Sequence, residues 1–346
     1  MSLILLMTGC TVVEDQKDSI GTTASSSVHE ADEARVTGAV KASDSPCCFE
    51  YDPYVVSDMY RDTMGEDMYM SYMNFVDAVE NGETQFECCG YDEYRWLFGQ
   101  YIPQWAPFAA EYTIADYYED GIVHFHYTLP ENEIREYYGY WKNMVTDIIN
   151  NCGIQEGDSD FEKAFMLYYY ISYNYEYDYD ALDNLDSHTV SAYRFLTEGR
   201  GICSDVSEAY TFLLGQVGVD SAPAHGPSDD PDTQGHEWTV IHINDGYYNI
   251  DATWAMGKEA SPDLFMFSDS KRYRYGLYAF ENTHRVNNYP YEMDESYVSP
   301  YVCDDETMDI FTCSSFVDLD HENNIIYYMT CEDGCVLRSF DFSSYT

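Results

Sequence analysis

Basic residues are scarce in this chain. Sixteen lysines and arginines stand against 63 aspartates and glutamates in 346 residues, a formal charge of −47. A surface with that excess repels phosphate backbones and anionic lipid head groups, which excludes nucleic-acid binding as a role. Long apolar runs are missing as well, since no stretch approaches the roughly 20 residues that a membrane-spanning helix needs. The eleven cysteines contain no C-x-x-C pair, and the nine histidines no H-x-x-x-H pair. No zinc site can be read from such spacing, and no metal or cofactor is expected. What remains is a folding chain: 45% hydrophobic residues supply a sizeable core. The 36 tyrosines suit amphipathic surfaces that touch peptide or glycan.

The hydrophobic pattern divides the chain. Residues 46–153 read as a mixed α/β region. There Met68, Tyr72, Phe75, Val76 and Val79 recur at helical spacing up to Asn81-Gly82, and strand-like runs flank Asp120-Gly121. Ile134, Tyr138, Trp141, Val145 and Ile148 then mark a second helix. Ser159 and Glu162 form a capping-box pattern that opens a helix through Phe165, Tyr168 and Ile171. After Gly199 and Gly201, which read as turn glycines, Cys203 starts a helix carrying Val206, Ala209, Tyr210, Leu213 and Leu214, with Gly218 past its end. Two strands, His236 to Ile243 and Tyr247 to Ala252, flank an Asp245-Gly246 turn. That turn places Asp251 opposite Val240, four residues and about 13 Å along the strand from His236. Near the C-terminus, Ile325 to Met329 and Val336 to Phe340 read as an extra β-hairpin, and a disulfide between Cys331 and Cys335 would cross it.

A cysteine hydrolase or acyltransferase needs a thiol, a histidine that moves its proton and a carboxylate that orients the imidazole. Helix N-termini suit the first, because their free amides favour a thiolate and can bind an oxyanion. Cys203 holds such a position, and His236 and Asp251 are joined by one hairpin. Each has a plain structural reading: Cys203 as a small core residue, Asp251 as a cap, Trp238 and Trp254 as packing. Their joint order carries the functional one.

In that order the chain resembles the transglutaminase-like superfamily, through Gly201-Ile-Cys203, His236-Glu-Trp238, Asp245-Gly246 and Ile250-Asp251-Ala-Thr253-Trp254. The resemblance implies an α+β, papain-like core in which the helix bearing the cysteine packs on an antiparallel sheet. It assigns Cys203 as nucleophile, His236 as general base and acid, and Asp251 as the orienter, and it implies that the hairpin closes the offset noted above. Tyr193, Trp238 and Trp254 are candidate oxyanion or cleft residues, with His188 beside Tyr193. Glu237 departs from the small residue usual between histidine and tryptophan and would add negative charge near the cleft.

The first ten residues, an apolar run ending in Gly9-Cys10, resemble the tail of a bacterial lipoprotein signal, with Cys10 the lipidated residue. The Ser-, Thr- and acid-rich segment that follows reads as a tether with a reach of about 30 Å. The expected organisation is a signal at 1–10, possessing only the end of a leader; a tether at 11–45; an N-terminal α/β region at 46–153; a catalytic domain at 154–298; and a C-terminal β extension at 299–346. The expected protein is an extracellular, lipid-anchored cysteine enzyme that touches the membrane only through its anchor. Its partner would be a peptide or protein substrate, cell-wall peptide included, whose amide acyl group passes through a thioester, with hydrolysis preferred over cross-linking. The alternatives are a non-catalytic module that binds cell-wall or glycopeptide on the same fold, and a scaffold that docks a partner through its terminal hairpin.

Overall fold

The computed structural model describes residues 49–184, 189–226, 235–256, 261–274, 285–286, 301–312, 314–330 and 335–346. Cys10, the tether at 11–45, His188 and Cys331 lie outside these residues. Cys335 is an exposed thiol.

The N-terminal part is built as its periodicity predicts. Helix α1 (Glu66–Asn81) buries Tyr72, Phe75 and Val76 and stops at Gly82, whose φ of +69° suits a residue without Cβ. A three-stranded sheet follows, with β1 (Gln85–Glu87), β2 (Thr113–Glu119) and β3 (Ile122–Tyr127) in the order β1-β3-β2. The β2–β3 turn is Asp120-Gly121, both at positive φ. Helix α2 (Glu131–Asn151) lays Trp141, Val145 and Ile149 into the core.

The second part surrounds one buried helix. The capping box of α3 (Asp160–Asn174) forms as expected, with Ser159 accepting from the Glu162 amide and the Glu162 side chain accepting from the Ser159 amide. Beyond α3, strand β4 (Glu176–Tyr177) pairs in parallel with β5 (Arg200–Gly201), and α4 (Ala192–Glu198) lies between them in sequence. Helix α5 (Cys203–Gln216) is so apolar from Val206 to Leu214 that it must be covered on all sides. Ala209, Tyr210, Phe212, Leu213 and Leu214 are fully buried, each large side chain contributing about 1.5–3 kcal/mol. One cover is the antiparallel sheet β8-β7-β6-β9, made of β6 (Ser221–Gly226), β7 (His236–Ile243), β8 (Gly246–Ile250) and β9 (Arg285–Val286). Ser207 of α5 donates to the Trp238 carbonyl at 2.6 Å, which pins helix to sheet. The architecture is therefore α+β, with a cysteine-bearing helix on an antiparallel sheet.

The β7–β8 hairpin turns one residue earlier than expected. Ile243 pairs with Gly246 and Thr239 with Ile250, so the turn is Asn244-Asp245. Asn244 takes the left-handed conformation, φ +55°, that the expected turn had reserved for glycine. The shift carries Asp251 two residues along β7, opposite Trp238, and halves its distance from His236.

The C-terminal hairpin is the larger part of a sheet. Strands β11 (Ile325–Thr330) and β12 (Val336–Asp341) are joined by β10 (Ser314–Asp320), with β11 in the middle. This sheet packs on α3: Phe316 meets Phe165 and Tyr169, and Phe342 stacks on Phe161 at 4.5 Å. The β10–β11 turn adds a polar contact, because His321 Nδ1 lies 3.0 Å from Asp158 and 3.1 Å from Glu162. These three side chains bring ligand-type atoms within 4.8 Å of one another, and the ionic hydrogen bonds among them account for the arrangement. Burial alone would lower the His321 pKa, but the bonds to both carboxylates outweigh it and hold it near 9. Glu162 is held below its ordinary value: burial opposes the shift, and the His321 bond and the Ser159 cap drive it.

A raised histidine stabilises the fold fully below its unfolded value and loses that contribution as pH rises through its folded one. His321→Gln should therefore cost roughly 2–3 kcal/mol at pH 6. The gap to the parent should close as pH rises through about 9. Urea unfolding across that range measures it, and a gap that stays constant with pH would refute the ionic contact.

Candidate active site

Cys203 reaches its position through two glycines. Gly199 ends α4 at φ +81°. At Gly201 a Cβ would sit 2.7 Å from Asp205 Cβ and 2.9 Å from Phe195, so only glycine lets the chain pass. The pass is then fixed by Asp205, which is buried: one carboxylate oxygen accepts the Ile202 amide at 2.8 Å and the other the Ser191 amide at 2.8 Å. Cys203 follows as the first residue of α5, half-buried, where the helix dipole favours negative charge.

His236 is the first residue of β7, and Asp251 follows the last residue of β8. With the observed register the two side chains meet: His236 Nε2 to Asp251 Oδ2 is 2.8 Å. Asp251 is fully buried, and its second oxygen accepts the Trp254 amide at 3.0 Å, capping α6 (Ala252–Met256). One oxygen of this aspartate thus meets the imidazole and the other caps a helix. The ring also hydrogen-bonds to the Cys203 side chain, and with Nε2 taken by Asp251 the nitrogen left for the sulfur is Nδ1. Burial would lower the His236 pKa, but the charges of Asp251 and Cys203 and the bonds to both raise it to about 10. This is an imidazole built to hold a proton between an acid and a sulfur.

The other candidates separate. Trp254 stands 5.5 Å from the His236 ring, half-buried, at the site. Trp238 lies parallel to that ring at 6.4 Å but is buried, and its indole N–H is spent on Asn249 at 2.7 Å. Asn249 in turn donates to Asp269. Trp238 therefore backs His236 and offers no donor to a substrate. Tyr193 is not brought to the group: its ring packs on Phe108 and Trp141, and its hydroxyl meets that of Tyr112 at 2.9 Å. Glu237 does not face the cleft, because neighbours on a strand alternate sides and its charge falls beside Glu208 of α5. Burial first, then Glu237, pushes the Glu208 carboxyl well above the usual range.

The sequence reading missed Tyr177. It pairs with Gly201 across β4 and β5, and its phenol feels the charges of Cys203 and Asp251. A two-residue strand gives no periodic signal, so only the fold reveals it.

Residues 149–252, which contain Cys203, His236 and Asp251, match the family model described as the transglutaminase-like superfamily. No curated protein matches the sequence. Among solved structures, a TGase is 12% identical, with 41% of this chain and 43% of that one covered at a TM-score of 0.28. LapG of Legionella pneumophila, treated with EGTA, is 16% identical over 36% and 65%, with a TM-score of 0.24. Arylamine N-acetyltransferase C from Bacillus anthracis is 15% identical over 59% and 94%, with a TM-score of 0.30. The match thus spans under half of the TGase and just under two thirds of LapG. At such scores none of the three bears on activity.

Asp251→Asn removes the charge and keeps the shape. The His236 titration followed by NMR should fall from about 10 by at least about one unit. The stabilisation that the parent loses between its ordinary 6.5 and about 10 should shrink with it. An unchanged titration would mean that Asp251 does not charge the ring.

Proposed function

We propose that this protein is a cysteine enzyme acting on peptide or protein amides, a reading supported by the match of residues 149–252 to the transglutaminase-like superfamily model. The observation that carries the reading is the chain of contacts from Cys203 through His236 to the buried Asp251. In the reactive form the proton shared between Cys203 and His236 sits on the imidazole, as the raised His236 value favours. Sulfur attacks the amide carbon, an S–C bond forms, and His236 gives its proton to the departing amine as the C–N bond breaks. Water, deprotonated by the now neutral His236, then attacks the thioester and frees the acid and Cys203. Hydrolysis is the preferred outcome, with transfer to an amine its competitor. A binding module on the same fold has no use for a histidine held charged against a sulfur, so the contact chain favours catalysis.

The acid-rich surface and the Gly9-Cys10 run support a place outside the cell, anchored by lipid on Cys10 and joined to the enzyme by the segment 11–45. The nearest substrates there are peptides of the cell surface and wall.

Two experiments test these readings. Iodoacetamide at neutral pH should alkylate Cys203 at least tenfold faster than the exposed Cys89 and Cys335, located by peptide mass spectrometry. His236→Ala should abolish that advantage, and a Cys203 slower than the exposed thiols would sink the nucleophile assignment. Growth with an alkyne fatty acid should label the parent protein and leave Cys10→Ala unlabelled; equal labelling of both would disprove the anchor.

A further inference from the structure

We propose that the Tyr177 hydroxyl is the side-chain donor to the substrate's carbonyl oxygen as Cys203 attacks, an assignment that rests on the cysteine-enzyme reading above. Attack forms the S–C bond and moves the carbonyl π pair onto oxygen. That oxyanion needs donors already in place, because a group that must reorganise during the reaction stabilises little. The Cys203 amide at the start of α5 is one; a second must come from a side chain beside the sulfur. Neither Tyr193 nor Trp238 can serve, since the Tyr112 hydroxyl and Asn249 engage their polar groups.

Tyr177 meets the requirements. Its strand is locked to the segment that delivers Cys203: the Glu176 amide donates to the Gly199 carbonyl and the Asp178 amide to the Gly201 carbonyl, each at 2.9 Å. Tyr177 is thereby held in register with Gly201, two residues before the cysteine. Its ring is half-buried and braced at 5.0 Å by Tyr179. Among the described residues its hydroxyl makes no hydrogen bond, so its proton is uncommitted toward a ligand. Burial, and after it the negative charges of Cys203, Tyr179, Asp251 and Asp205, push the phenol pKa up, so the group donates and keeps its proton. When the intermediate collapses, the pair returns to the C=O bond, the C–N bond breaks and His236 protonates the amine. Tyr177 ends unchanged.

Two reagents separate this role from the reactivity of the thiol. p-Nitrophenyl acetate acylates a thiol through a tetrahedral oxyanion, whereas iodoacetamide alkylates it by displacement with none. Tyr177→Phe deletes the hydroxyl alone. It should slow acylation of Cys203 by p-nitrophenyl acetate by about 10- to 100-fold while leaving its alkylation within about twofold, the alkylation rate also reporting an intact site. Unchanged acylation beside normal alkylation would overturn the donor role and leave the enzyme reading standing. An equal fall in both would overturn it too, as the mark of a structural or thiol effect. A parent Cys203 inert to both reagents would overturn the enzyme reading, and this assignment with it.

Discussion

The buried carboxylate of Asp251 is the interaction on which the site depends. A fully buried charge is tolerated only with partners for its oxygens, and this one has two, the His236 ring and the Trp254 amide. The amide belongs to the turn from β8 into α6, so the group that orients the imidazole also decides where the chain leaves the sheet. Removing it would disturb a helix start and a histidine together. That coupling explains why the carboxylate sits where water cannot compete for it.

Asp205 does for the cysteine what Asp251 does for the histidine. Its two oxygens tie the start of α5 to Ser191, and Gly201 yields the space the carboxylate needs. The helix behind it is buried in apolar cover; α3, whose Ala164 carbonyl accepts the Tyr210 hydroxyl of α5, is packed in turn by Phe316 and Phe342 of the C-terminal part. Rigid packing of this kind holds the sulfur, the ring and the carboxylate together.

Much of this was legible beforehand because it rests on local rules. The capping box at Ser159, the turn at Asp120-Gly121, the end of α1 at Gly82 and the start of α5 at Cys203 each depend on a few neighbouring residues. The hairpin register was misread by one turn position because asparagine, not only glycine, tolerates the left-handed conformation. Tyr193 is a cleft candidate by its place ahead of the glycine turn and Trp238 by its place in the His236-Glu-Trp238 motif, and neither place says whether a hydroxyl or indole N–H has already found a partner.

By itself the sequence determined the residue types, their order along the chain and the helix and strands that bear them, since propensity, capping and periodicity act over a few residues. Only the tertiary structure decided that His236 reaches Asp251, that Glu237 lies on the strand face opposite His236, and that Tyr177 pairs with Gly201 two residues before Cys203. Those outcomes depend on strand register and on pairings between distant segments, where a shift of one residue reverses a face and a shift of two moves a side chain about 7 Å.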